Sequence, residues 1–212
     1  NLEDGEEKAD RICQLARQYG AALVALTIDE DGMAKTAARK VAVAKRLYDI
    51  ACGRWGLPPS ALLFDPLTFT IGSGDEDSRD AGVQTLLGIR GIKDTLPGVS
   101  TLLGLSNISF GLKPFARQVL NSVFLSEAML HGLDAAIVSP AKIVPLAKLS
   151  PDEVQIARDL IYDRRSTGYD PLFAFIDRFS DRTADTRGPA AEGGTLEQRL
   201  ARRIIDGKKI GI

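Results

Sequence analysis

Four short apolar runs, separated by stretches of more than ten residues with helical periodicity, constrain this chain more than any other feature. Residues 21–28, 61–64, 101–105 and 135–138 are apolar on successive positions, as strands covered on both faces should be. Residues 6–19 read as a helix with Ile12, Leu15 and Ala16 on one face and Gly20 as the stop, and residues 36–52 repeat apolar side chains at Val41, Ala44, Leu47, Tyr48 and Ala51. Residues 80–96 and 114–130 are also helical. Ser150-Pro151-Asp152-Glu153 reads as a capping box with proline at the first helical position, opening a helix to about Asp163.

Apolar strands alternating with helices of this length predict parallel βαβ units, hence an α/β fold. Four such units make either a small doubly wound sheet or half of a closed eight-stranded barrel, which runs to roughly 250 residues. With 44% hydrophobic and 26% charged residues, a packed core is expected and wholesale disorder is not. A net charge of -1 gives no electrostatic reason to expect nucleic acid as a partner. Cys13 and Cys52 fall in helical stretches without metal-ligand spacing and His131 is the one histidine, so no zinc site is expected from this chain and the thiols read as buried. The lack of an apolar run of membrane-spanning length, or of a leader pattern, predicts a soluble, cytoplasmic protein without a membrane partner.

The chain opens at Asn1 without an initiator Met and enters charged helical sequence at once, as the middle of a longer protein would. One domain is expected over residues 1–179. Residues 180–194 hold almost nothing to bury and read as a linker. Thr195 and Gln198 then form a further capping box ahead of an apolar stripe of Leu196, Leu200 and Ile204. So short a helix is marginal alone, which assigns residues 195–212 to the start of another domain.

Ligands of parallel α/β folds bind beyond the carboxyl ends of the strands, which directs attention to residues 27–30, 65–68, 104–107 and 134–140. Asp65 follows the second apolar run, where a carboxylate can accept two hydrogen bonds from a guanidine-like heterocycle edge or can cap its own loop. Asn107 carries both a donor and an acceptor, suited to a ring nitrogen whose protonation changes or to holding a turn. Asp75-Glu76-Asp77 precedes a helix and reads as capping, Gly72-Ser73-Gly74 lacks the lysine of a phosphate loop, His131 sits at a helix end, and Trp55 reads as packing.

Gly104-Leu-Ser-Asn107-Ile-Ser109-Phe110-Gly111, followed by Pro114-Phe-Ala-Arg117-Gln-Val-Leu-Asn121, resembles the folate domain of the cobalamin-dependent methionine synthase family. Asp65-Pro66-Leu67 and the segment from Gly132-Leu-Asp134 onward are similar to the same family in order and spacing. The resemblance runs from Asn1 to about Arg165, and residues 196–207 look like the start of that family's cobalamin-binding cap. It implies the second half of a pterin-binding (β/α)8 TIM barrel, starting before the fifth strand.

What the resemblance implies chemically is methyl transfer from 5-methyltetrahydrofolate, the substrate, to cob(I)alamin, which then methylates homocysteine. Asp65 would bond the pterin edge, Asn107 would swing toward N5, Gly104 would let backbone approach the ring, and Arg117 would lie near the pterin or folate tail, if it does not simply face solvent. Cobalamin and zinc would belong to other domains, so the cobalamin-binding and homocysteine domains of the same protein are the implied partners. Further pterin contacts of the family come from an Asn and an Asp that would precede Asn1. The resemblance therefore implies an incomplete pocket here, weak or no folate binding by the chain alone, and exposed inner apolar faces. The alternatives are a methyltetrahydrofolate:corrinoid protein methyltransferase, a dihydropteroate synthase, or a fragment with no turnover of its own. Dihydropteroate synthase would require a Lys and an Arg at late strand ends, where this chain has Val138-Ser139-Pro140.

Overall fold

The structure is a computed structural model that describes residues 1–180 and Glu197; the expected linker and the expected helix over residues 195–212 otherwise lie outside the described residues. Helix α1 (Glu6–Tyr19) leads into strand β1 (Leu23–Leu26), a small hairpin of β2 (Ile28–Asp29) and β3 (Gly32–Met33), and helix α2 (Ala37–Tyr48), which a π-helical turn extends through Arg54. Strand β4 (Leu62–Asp65), helix α3 (Ala81–Thr95), strand β5 (Ser100–Gly104), helix α4 (Pro114–Leu130) and strand β6 (Ala135–Ile137) follow, then helices α5 (Pro151–Ile161) and α6 (Pro171–Arg178). The four long runs predicted as strands pair in the order β1-β4-β5-β6, and every pairing is parallel. This is the α/β arrangement expected of consecutive βα units.

Two apolar clusters hold the layers together. Leu62, Phe64, Val43, Leu47 and Ile92 join β4 to α2 and α3, while Leu103, Val123, Phe124, Ile161 and Phe175 join β5 to α4, α5 and α6. Helices α2 and α3 pack closely because α3 presents Gly88 and Gly91 one turn apart. A methyl group at Gly88 would come 2.6 Å from Lys40 Cδ, and one at Gly91 would come 2.6 Å from Val41 Cγ2.

Several expectations need correction. The run over residues 21–28 is not a single strand covered on both faces: Val24 is 55% exposed, because β1 is an edge of the described sheet. Ile137, at the other edge of the described sheet, is 65% exposed, so apolar positions on both edge strands stand uncovered. The run also ends at Leu26, after which Thr27 N–H donates to Asp65 O and Ala34 N–H returns to Thr27 O around the hairpin. On α1 the buried face is Ala9, Cys13 and Ala16, whereas Ile12 and Leu15 are exposed. Cys13 is buried as expected, but Cys52 only half so.

The sequence pattern predicts no element over residues 164–179, yet α6 begins there at Pro171, with Asp170 Oδ1 accepting from Leu172 N–H (2.8 Å) and Phe173 N–H (3.2 Å). Its buried Phe175 stacks edge-on to Phe179.

The predicted capping box is present: Ser150 Oγ accepts from Glu153 N–H (3.3 Å) and Glu153 Oε2 accepts from Ser150 N–H (3.0 Å). Ser150→Ala should cost about 1 kcal/mol, the usual worth of such a cap. Urea denaturation would register this as a lower midpoint at unchanged slope. Asp75 caps the following turn by accepting from Asp77 N–H, His131 closes α4 with Nδ1 2.8 Å from Glu127 O, and half-buried Trp55 gives its indole N–H to Asp10.

Candidate pterin site

The parallel register brings the carboxyl ends of neighbouring strands together, with Leu26 beside Asp65 and Gly104 beside Ile137. Asp134, grouped with the strand-end residues in the sequence, instead precedes β6 and lies at the amino end. Its carboxylate takes Thr101 N–H (2.8 Å) and Lys93 Nζ (2.9 Å), a structural clamp away from the mouth.

Asp65 is half-buried at the end of β4. Its Oδ1 accepts from Leu67 N–H at 2.8 Å, so the loop-capping role is realised on one oxygen, while Oδ2 has no hydrogen-bond partner among the described residues. Burial pushes the carboxyl above the usual aspartate range, against the opposing pull of Leu67 N–H and the Lys40 ammonium. The turn has an unusual backbone: Leu67 has φ 64°, in the left-handed region that a branched side chain seldom adopts.

Gly104 ends β5 and opens the 3-10 turn Leu105–Ser109 that carries Asn107. A methyl group on Gly104 would lie 3.4 Å from Asn107 Nδ2, so the amide folds back over the glycine. Asn107 is exposed and its side chain makes no hydrogen bond among the described residues; only its backbone carbonyl is used, by Phe110 N–H. The amide is therefore uncommitted. Arg117 does not face solvent. It is half-buried on the first turns of α4 and reaches back, Nε to Ser109 Oγ and Nη2 to Ser106 O, each at 3.1 Å, bracing both sides of the Asn107 turn. Beside it lies a cavity of about 340 Å3, lined by Ser106, Arg117, Gln118, Asn121, Ser139 and Lys142 but not by Asp65 or Asn107.

The loops after β4 and β5 are stitched to one another. Ile71 N–H donates to Ile108 O (3.0 Å) and Thr70 Oγ1 donates to Phe110 O (2.7 Å). Asp65 and Asn107 thus sit on two turns with a fixed mutual relation, and the four residues singled out in the sequence all belong to this one end of the sheet.

Two residues here escaped the sequence reading. Lys40 is fully buried on α2, its Nζ donating to Ala34 O (2.9 Å), Pro66 O (2.5 Å) and Leu67 O (3.3 Å) and standing 5.0 Å from the Phe69 ring centre. Burial lowers its ammonium to about 8, with Asp65 pulling it the other way. Thr85 Oγ1, from α3, is shared between Ala81 O at 2.8 Å and Leu67 O at 3.2 Å. A signal for Lys40 existed: it lies three, four and seven positions before Val43, Ala44 and Leu47, on the stripe that α2 buries.

The pterin binding enzyme family model matches residues 1–139 of the chain. Methionine synthase of Mycobacterium tuberculosis (strain ATCC 25618 / H37Rv) is 47% identical over the whole of this chain, and methionine synthase of Mycobacterium leprae (strain TN) is 48% identical. The chain spans 18% of the length of each of these relatives. With a family match over well over half its length and a parallel sheet whose carboxyl ends gather Asp65, Gly104 and Asn107, the chain belongs to the pterin binding enzyme family.

Proposed function

We propose that the carboxyl ends of β4 and β5 hold the pterin ring of 5-methyltetrahydrofolate, and that the full-length protein uses them to pass the N5 methyl group toward methionine synthesis from homocysteine. The observation that carries this is the pairing of a half-buried carboxylate, one oxygen unused, with an uncommitted amide on the adjoining turn. The pyrimidine side of a pterin offers adjacent N–H donors, and a carboxylate accepts such a pair with charge-assisted strength. Gly104 leaves room for the ring to lie against backbone. Arg117, by bracing the turn, keeps Asn107 within reach, and the three guanidinium hydrogens that the turn does not use are available to the pterin or the folate tail.

The chemical difficulty is the leaving group. A tertiary amine nitrogen departs poorly until it carries a proton, so a site that favours protonated N5 as the methyl bond breaks lowers the barrier. Asn107 suits this task because its amide can accept from N5–H or donate to the free nitrogen by turning over, and no side chain or backbone group among the described residues holds it. The methyl acceptor, cob(I)alamin, supplies the nucleophile from a neighbouring domain. Among the described residues no group of three or more His, Cys, Asp or Glu could hold a metal ion, and His131 Nδ1 lies 2.8 Å from Glu127 O. Zinc, with cobalamin, is proposed for other domains on the strength of the family resemblance alone. Residues 180–194 would connect this domain to a cobalamin-binding cap beginning at about residue 195. A cytoplasmic location goes with the methionine-synthesis role proposed here. No helix among the described residues is long and apolar enough to cross a membrane.

The test is transfer of labelled methyl from 5-methyltetrahydrofolate by the full-length protein with cob(I)alamin supplied. Transfer should be seen, and it should fail on acidification earlier than an ordinary aspartate would require. The raised Asp65 pKa means that the carboxylate is lost as pH falls through that higher value. Absence of any methyl transfer from the folded protein would overturn the reading. Arg117→Ala should raise KM about threefold to tenfold through loss of its two hydrogen bonds to the turn.

A further inference from the structure

We infer that Lys40 is a positioning residue for the pterin-binding carboxylate: by gathering the carbonyls of Ala34, Pro66 and Leu67 it locks the turn after β4 in the conformation that aims Asp65. The inference rests on the reading of Asp65 under Proposed function.

The ammonium is fully buried, and every hydrogen bond it makes among the described residues is to a main-chain carbonyl at this end of the sheet. A buried lysine is a costly way to fill space, since a methionine of similar length packs there without desolvating a charge. What the ammonium does that a methionine cannot is hold consecutive carbonyls. Two of them, Pro66 O and Leu67 O, belong to the turn that starts at Asp65; the third, Ala34 O, ties that turn to the loop after β3. Leu67 carries φ 64° without the exemption glycine enjoys, so the surroundings must over-determine it. They do so from three sides: Lys40 on two carbonyls, Thr85 on the Leu67 carbonyl, and Asp65 Oδ1 on the Leu67 N–H. That last bond is how the turn orients the carboxylate: the Leu67 N–H shares its peptide plane with Pro66 O, which Lys40 holds, so a peptide free to tilt would withdraw the N–H that fixes Oδ1. The α3 helix accommodates the lysine stem at Gly88, where any side chain would collide with it.

The charge has a second effect. Lys40 faces Asp65 from α2, Thr85 and Gly88 face it from α3, Phe69 from the loop after β4, and Ala34 O from the loop after β3. Asp65 is the charged group acting on it, and the attraction is reciprocal. A neutral residue at position 40 would leave the half-buried carboxylate without its neighbouring cation and let it protonate at higher pH.

The experiment is titration of 5-methyltetrahydrofolate into the full-length protein, wild type beside Lys40→Met, across a pH series. Lys40→Met should bind at least about tenfold more weakly, the scale expected when a positioned group is displaced by a fraction of an ångström. The acid limb of its binding curve should move to higher pH. Adding Leu67→Gly to Lys40→Met should recover affinity to within about threefold of wild type, because glycine adopts the left-handed conformation unaided. A lysine serving stability alone would lower the melting temperature but leave affinity and its pH dependence unchanged. If wild type binds and folded Lys40→Met matches it at every pH, the inference is overturned while the pterin reading stands; if wild type itself does not bind, the pterin reading falls and takes the inference with it. Should Lys40→Met not fold, Thr85→Val removes the other side-chain hold on Leu67 O and should weaken binding about threefold; unchanged affinity there overturns the inference equally.

Discussion

Asp65→Ala in the full-length protein should weaken 5-methyltetrahydrofolate binding by a factor of about 10² to 10⁴. The estimate follows from losing two hydrogen bonds from the pterin edge to a charged acceptor, about 1.5–3 kcal/mol each. The pterin N–H groups would be left facing a void where the carboxylate was, and a buried donor without a partner costs more than the bond it replaces was worth. Asp65→Asn separates shape from charge. It retains the size and the oxygen that caps Leu67 N–H, but it must place either a second donor against the pterin donors or its single oxygen against one of them. Its affinity should therefore fall at least tenfold, with the β4 turn intact. Calorimetric titration measures both. Affinity within about twofold of wild type in folded Asp65→Ala would remove Asp65 from the site.

Asn107→Ala should separate binding from chemistry. The Asn107 amide has no bond to lose in the resting protein, so its removal leaves the 3-10 turn held by Phe110 N–H on the Asn107 carbonyl and by the Arg117 bonds to Ser106 and Ser109. Folate affinity should change less than about fivefold, since a single neutral hydrogen bond is worth about 1 kcal/mol. The single-turnover rate of methyl transfer should drop about 10²-fold, the usual consequence of deleting one group placed where charge develops. Rapid mixing of pre-formed cob(I)alamin with the folate-loaded protein reads that rate. Equal losses in affinity and rate would show that Asn107 only binds, and an unchanged rate would show that protonation of N5 is managed elsewhere.

The parts of this account that the sequence disclosed are those with a local pattern. Continuous apolar runs disclosed the strands, the Ser150–Glu153 spacing disclosed a cap, and Gly104 through Asn107, with Arg117 ten positions on, marked one end of the sheet. The edges were not legible. Whether Val24 and Ile137 are covered depends on what pairs with β1 and β6, which no local pattern encodes. The start of the β2–β3 hairpin was hidden in the end of an apolar run because Ile28 looks like a strand residue either way; what turns the chain is Thr27 pairing with Asp65 O and Ala34, a contact made 38 residues away in the first case. Helix α6 was short enough that its Asp170-Pro171 start and its aromatic residues did not register as periodic.

Lys40 was missed for a different reason. A lysine on an apolar stripe is ordinarily read as a charge snorkelling to the surface. Here the three carbonyls that receive it come from loops after two strands, and they become neighbours only when β1 and β4 pair. The strain at Leu67 was invisible too, because the sequence pattern around a non-glycine left-handed residue looks like any other loop.

The most direct test of the central claim is a crystal structure of the full-length protein with 5-methyltetrahydrofolate bound. The account predicts the pterin ring over Gly104, its pyrimidine edge on the Asp65 carboxylate and N5 within reach of the Asn107 amide. A pterin bound elsewhere, with Asp65 and Asn107 both without ligand contacts, would contradict it.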